Sequence, residues 1–319
     1  MRAALLTLAA AITALLVAGC GDETGGDGAA PRPATLALDF QPNAAHAGVY
    51  VALHDDLDAE HDLDLRVRVP GASTDSLKLL AAGRADLSIV DIHDLGLARE
   101  RGADVVGVGA LVQRPLAALI AQPDVRRPRD LEGRRVGVTG LPSDDAVLRA
   151  IVQHDGGRFD QLRRTTIGFS AVPSLVAGKV DAVVTFWNVE GVALKVRGVP
   201  TREFRVDDYG APRYPELVVA TTSKTLRERR ELVDDVVATL ADGTRTALAD
   251  RPLAVREVAR AAAADEQLTR LQLNAIAPAL RPPLRLDPAA LRGWAAFDAR
   301  FGILRREPDV ATAFPTLPR

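Results

Sequence analysis

Two stretches of the chain carry the same alternation of apolar and polar positions. In "LAAGRADLSIV" (Leu80–Val90) and "LVAGKVDAVVT" (Leu175–Thr185), an apolar helix end gives way to a glycine, a basic residue, an aspartate and a strand-like apolar run. Gly83 and Gly178 suit the left-handed residue that closes a helix. The runs after Asp86 and Asp181 suit buried strands. Upstream the parallel continues: "TLALDF" with the helix "AAHAGVYVALH" matches "RRVGVTG" with the helix "SDDAVLRAIVQH". A second strand ("LDLRVRV", "RTTIGF") and a second helix ("STDSLKLLAAG", "SAVPSLVAGK") then follow in both halves. Each half therefore predicts a βαβαβ unit with parallel strands. "YPELVVATT" reads as a strand returning from the second half, followed by helices over "KTLRERRELVDDVVATLADGTRTALA" and from Arg251 onward. In the final helix, "DPAALRGWAAFDARFGIL", Trp294, Phe297 and Phe301 recur at helical spacing and form a core stripe.

The duplication predicts an α/β protein of two lobes, with lobe 1 formed by 35–122 plus 217–319 and lobe 2 by 123–216. The chain is expected to cross between them near Gln122–Arg129 and Tyr209–Pro215, making a two-crossing hinge. Ahead of the lobes, "GDETGGDGAAPRPA" has no hydrophobic period and reads, over 20–34, as a flexible tether. Residues 1–19 have a basic start, a short apolar run and small residues before Cys20, the layout of a secretory signal. "LVAGC" resembles the lipobox of bacterial lipoproteins, which makes Cys20, the sole cysteine, the expected lipidation site and the protein an exported, membrane-anchored one. A formal net charge of −2 without a basic stripe gives no footprint for nucleic acid, and no second apolar run suggests a membrane span.

In open parallel sheets, ligands sit beyond the carboxyl ends of the strands. Those ends carry "QPNAAH" and "DIHD" in the first half, "TGLPSDD" and "FWNVE" in the second. Candidate contacts from these segments are Asn43, His46, Asp91, His93, Thr139, Gly140 and Ser143, with Tyr214 from the second crossing. Helix starts at Asn43 and Ser143 are expected to offer backbone N–H groups to the same space. In a chain with 4% aromatic residues, Phe186 and Trp187 beside Asn188 and Glu190 stand out. Trp187 fits either an aromatic wall or interlobe packing, and Asn43 either a ligand contact or a helix cap. "DIHD" gathers Asp91, His93 and Asp94, but no second ligand cluster accompanies it, so no metal is expected. No Walker A sequence and no Gly-x-Ser-x-Gly elbow occurs.

"DFQPNAAHAGVYVA", "ALVQRPLAALIA", "LEGRRVGVTGLPSDDAVLRAIVQHDGG" and "GKVDAVVTFWNVEGVALKVRGVP" resemble the substrate-binding lipoproteins of ABC importers in the thiamin-pyrimidine-precursor family. The resemblance runs from Leu36 to Thr222. It implies a type II periplasmic-binding-protein fold, a monomer without cofactor that closes on a small heteroaromatic ligand and delivers it to a permease and its ATPase. By the same resemblance, Phe40, Asn43, Trp187, Asn188 and Glu190 touch the aminopyrimidine. Family members often carry Trp where Phe40 stands, which leaves first-lobe contacts and exact ligand open; a riboflavin-like heterocycle, an aliphatic sulfonate or nitrate are alternatives, as is a transporter-independent sensor. The superfamily also includes pyrimidine synthases. Their cofactor-bearing lysine falls at Val90, and their cysteine-rich patch near "YGAPRYPELV", so the resemblance implies a binding protein rather than an enzyme even though His93 matches their histidine.

Overall fold

The computed structural model describes residues 30–71, 75–141 and 143–315. The expected signal segment 1–19, Cys20 and most of the tether lie outside them. The first half runs β1 (Arg32–Ala37), α1 (Ala47–His54), β2 (Leu63–Arg68), α2 (Asp75–Ala81), β3 (Leu87–Asp91), α3 (Ile92–Glu100) and β4 (Val106–Ala110). The second runs β5 (Ala117–Ala121), β6 (Arg135–Val138), α4 (Asp144–His154), β7 (Arg163–Thr166), α5 (Ala171–Val176), β8 (Ala182–Phe186), α6 (Val192–Val196) and β9 (Arg202–Arg205). After β10 (Leu217–Thr221), helices α7 (Ser223–Glu228), α8 (Arg230–Ala249), α9 (Arg251–Ala262), α10 (Glu266–Ile276), α11 (Pro288–Phe301) and α12 (Val310–Ala313) complete the described chain. Because β1 begins at Arg32, the expected tether ends earlier than 34.

The strands form two five-stranded sheets, ordered β2-β1-β3-β10-β4 and β7-β6-β8-β5-β9. Each contains the expected parallel trio, with Arg32 opposite Leu63 and Leu36 opposite Leu87 in one, Arg135 opposite Arg163 and Val136 opposite Ala182 in the other. The fourth strand of each sheet is antiparallel and is entered by a crossing from the other sheet: β10, following β9, lies beside β3, and β5, following β4, lies beside β8. This corrects the first expected crossing. All of β5 is buried in the second sheet, so the chain crosses at 111–116, where Gln113, Arg114 and Pro115 interrupt two apolar runs, and not near Gln122–Arg129. The second crossing, 206–216, lies beside the first: Glu216 N donates to Val112 O (3.0 Å) and Arg114 Nη2 pairs with Asp207 Oδ2 (2.5 Å).

The repeated aspartate explains itself in the structure. Asp86 Oδ2 accepts the Thr35 amide (2.8 Å), and Asp181 Oδ2 accepts the Arg135 amide (2.8 Å). In return, the amides of Asp86 and Asp181 donate to the carbonyls of Thr35 and Arg135. Each half thus bolts the start of its third strand to its first. Gly83 and Gly178 adopt φ of 65° and 63°, the left-handed turn expected of them.

Residues Pro31–Arg319 form one compact unit whose two apolar cores each draw on both sheets. The expected stripe is core: Trp294 and Phe297 are buried and Phe301 packs against them. The C-terminal helices do not belong to one lobe alone, since α8 and α9 pack on α1 whereas α10 packs on α6 and α11 on α4. Across α1 and α8, a Cβ on Gly243 would collide with the Gly48 carbonyl oxygen, which is why glycine stands there.

Candidate ligand-binding cleft

A cavity of roughly 1100 Å³, open mouth included, lies at the carboxyl ends of the parallel strands. Asp39 and Phe40 reach it after β1, Asp91 at the end of β3, Thr139 after β6, and Phe186 at the end of β8. Because β10 and β5 run the other way, their starts also arrive here and bring Glu216 and Leu116.

After β8 the chain makes a π-helical turn, Trp187–Gly191, a form that often sits at binding sites. Asn188 and Glu190 line the cavity from this turn. Asn188 is fully buried, and neither its Oδ1 nor its Nδ2 has a partner among the described residues. Leaving an amide so costs about 1–3 kcal/mol. Burial raises the Glu190 carboxyl above its ordinary range, against bonds from Thr185 and the Phe186 amide (3.3 Å).

Trp187 does not line the cavity. Its ring is buried in the core, its Nε1 donates to Pro115 O (3.0 Å), and the Arg205 guanidinium lies 4.1 Å over it. The aromatic walls are phenylalanines: Phe186, and Phe40 edge-on to Phe169 with ring centroids 4.5 Å apart. Phe40 follows β1 and Phe169 follows β7, so this pair spans the two sheets across the cleft.

Several expected contacts hold the site up from behind. His46 is fully buried outside the lining; its Nδ1 accepts the Asn43 amide (3.3 Å) and its Nε2 bonds Asp39 (2.8 Å). Asn43 lines the cavity, yet its Oδ1 caps Ala45 N (2.9 Å) and its Nδ2 donates to Gln41 O (3.0 Å). Tyr214 is buried, its hydroxyl 3.0 Å from His93 Nε2. His93 Nδ1 lies 2.6 Å from Asp298, so the imidazole that borders the cavity is held at both nitrogens. Burial alone would lower its pKa, but Asp298, Asp91 and Glu216 raise it to about 10.

Of the two expected helix starts, the one at Asn43 has an amide taken by its own cap, while at α4 it is the loop amides ahead of the helix that are taken. Asp144 takes the amides of Gly140 (2.7 Å) and Leu141 (3.0 Å) and the Thr139 hydroxyl (2.9 Å), while Ser143 makes no capping bond. Gly140 does not line the cavity; Thr139 and Ser143 do. Asp91 likewise takes the amides of His93 (2.7 Å) and Asp94 (3.4 Å) at the start of α3. Burial pushes the carboxyls of Asp91 and Asp94 up to about 7, helped by Glu216 at Asp91 and by Asp91 at Asp94, and burial does the same to Glu216 despite the nearby His93 charge and the Leu116 amide. Among the described lining residues there are six carboxylates (Asp39, Asp91, Asp94, Asp144, Glu190, Glu216) and neither lysine nor arginine.

Residues 43–252 match the family model described as NMT1/THI5 like. The chain belongs to this family. A formylaminopyrimidine-binding protein of Halalkalibacterium halodurans is 35% identical over 222 residues, which is 69% of this chain and 67% of that protein. The 4-amino-5-hydroxymethyl-2-methylpyrimidine phosphate synthase THI12 of Saccharomyces cerevisiae is 23% identical over 165 residues, 50% of this chain and 48% of that enzyme. Among solved structures, the periplasmic aliphatic sulphonate binding protein SsuA from Escherichia coli superposes with a TM-score of 0.72 at 16% identity, covering 89% of this chain and 97% of that one. The fold is thus that of the periplasmic binding proteins.

Within the NMT1/THI5-like family member described here, four features of the cleft escaped the sequence reading: Phe169, Asp144, Glu216, and the choice of Phe186 over Trp187. Glu216 had a signal, because a strand entering antiparallel beside β3 must start at the cleft. Phe169 had a weaker one, its place just after β7. Val90 lines the cavity as an aliphatic side chain.

Proposed function

We propose that this protein is the extracytoplasmic substrate-binding component of an ABC importer, capturing a thiamin-type aminopyrimidine between its two sheets. The observation that carries this reading is Asn188. A buried amide with both ends unpaired, facing an aromatic-walled cavity, matches a flat heterocycle with ring acceptors and an exocyclic amine. Glu190, on the same turn, supplies an acceptor. The formylaminopyrimidine-binding relative points the same way.

The alternatives fit less well. A sulfonate or nitrate needs cations or free helix-end amides, whereas this cleft is lined by carboxylates, the helix starts at Asn43 and Asp91 are capped by those side chains, and the loop amides before α4 are taken by Asp144. Synthase chemistry lacks its lysine at Val90. Partners on this reading are a permease and its ATPase, with the protein a monomer held to the outer face of the membrane through lipidated Cys20. Among the described residues, no helix is long and apolar enough to cross a membrane. Lipid chains contribute ~0.8 kcal/mol per buried methylene, so Cys20→Ser is expected to move the protein from the membrane fraction to the soluble one. Native mass spectrometry of protein purified without refolding tests the ligand. An aminopyrimidine mass supports the assignment; a co-purifying sulfonate or flavin overturns it.

A further inference from the structure

We propose that the cleft is built for a ligand carrying a protonated amine, and that Asp91 and Asp94 at the start of α3 receive it. This rests on the aminopyrimidine reading and adds the charge of the molecule. Asp91 is the N-cap of α3 and Asp94 lies three positions on, so both stand on the first turn at the cavity. Asp91 spends Oδ1 on two backbone amides. Its Oδ2 and both Asp94 carboxylate oxygens make no hydrogen bond or ion pair among the described residues. An ammonium group has three donors and no acceptor, which complements three carboxylate oxygens.

The charges around the pair favour a cation. Asp144 and Glu216 border the same cavity, while Asp207 and Asp298 stand behind it. The cations near the pair are His93 and Arg101. The His93 nitrogens are held by Asp298 and Tyr214, so its charge is offset and its ring N–H groups are not offered to a ligand. Asp91 and Asp94 are desolvated, and Glu216 beside Asp91 and Asp91 beside Asp94 add repulsion, which raises both carboxyls. A bound ammonium would relieve both effects.

An independent feature requires a polar ligand in this cavity. Asn188 lines it fully buried, with donor and acceptor both unanswered, and it comes from the opposite sheet. The division of labour that follows gives the ring edge to Asn188 and Glu190, and the charged substituent to Asp91 and Asp94. A neutral amide at that substituent would forgo the ion pair, and a phosphate would face carboxylates with no lysine or arginine among the described lining residues to meet it.

Calorimetry on the full-length protein in detergent at neutral pH tests this with three probes: 4-amino-5-aminomethyl-2-methylpyrimidine, its N-formyl derivative, and the 5-hydroxymethyl phosphate. The free amine is expected to bind at least about tenfold more tightly than the formyl compound, with the phosphate showing no measurable binding. Asp94→Asn is expected to bring the amine-to-formyl ratio to within about threefold of unity. Should that variant not fold, the wild-type ratio decides alone. Formyl binding equal to or tighter than amine binding overturns the charged-ligand proposal and leaves the aminopyrimidine reading standing. If none of the three binds, both fall.

Discussion

Asn188 and Trp187 are neighbours in sequence and opposites in role. Asn188 presents an unpaired amide to the cavity, whereas Trp187 is buried under Arg205 and bonded to Pro115 in the first crossing. Their alanine variants should therefore separate. Asn188→Ala removes a buried amide that has no partner in the free protein, so its melting temperature should hold or rise, while aminopyrimidine affinity falls at least about tenfold, or ~1.4 kcal/mol. Trp187→Ala opens a core cavity and should cost about 3–5 kcal/mol of stability. Paired calorimetry and thermal melts distinguish the two. A Trp187→Ala protein that melts like wild type but has lost all binding would restore Trp187 to the ligand's wall.

At the level of elements, two devices hold the cleft's geometry. The Asp86–Thr35 and Asp181–Arg135 bolts fix the third strand against the first in each half, and those strands deliver Asp91 and Phe186 to the site. Asp181→Ala leaves the Arg135 amide without its carboxylate and should destabilise by about 1–3 kcal/mol, as should Asp86→Ala. The Gly48–Gly243 crossing fixes α1 against α8, and the obstacle to a larger residue is backbone. Gly243→Ala is accordingly expected to cost about 1–3 kcal/mol by overpacking. Denaturant midpoints measure all three, and a Gly243→Ala midpoint equal to wild type would mean the helices can part without cost.

For the molecule as a whole, the buried acids set a pH dependence. Carboxyls of the unfolded chain titrate near about pH 4. Asp91, Asp94 and Glu216 hold their protons to about 7 in the fold. Over that window the folded protein binds more protons than the unfolded one, so stability falls as pH rises. His93 acts with the same sign: its contribution is complete below its ordinary 6.5 and is lost as pH climbs through about 10. The groups facing this cluster are Arg101, Asp144, Asp207, Tyr214 and Asp298. Asp104 and Asp155, whose pKa values are lowered by bonds from Ser223 and Arg127, oppose the trend only in stronger acid. The ligand-free melting temperature should therefore decline from pH 5 to pH 9, and less steeply in Asp94→Asn. A flat or rising profile in calorimetry would contradict the buried cluster.

The features legible in the sequence were those set by neighbours along the chain. Hydrophobic period marks helix and strand, Gly83 and Gly178 mark where a helix must turn left-handed, and their repetition gives two βαβαβ units with a cleft at the strand ends. Asn188 and Glu190 were placed at that cleft by the strand that precedes them. The tertiary structure decided what depends on partners far apart in sequence. An apolar run such as β5 carries no label for its sheet, and only pairing with β8 puts it in the second. Phe186 ends β8 and Trp187 opens the turn after it, and packing against Arg205 and Pro115 put Trp187 in the core and left Phe186 for the cavity. The acidic cluster joins α3 to Glu216 and Asp298, and His93 meets Asp298 across 205 positions of chain. Local pattern fixes conformation, but a desolvated charge exists only once distant segments have closed around it.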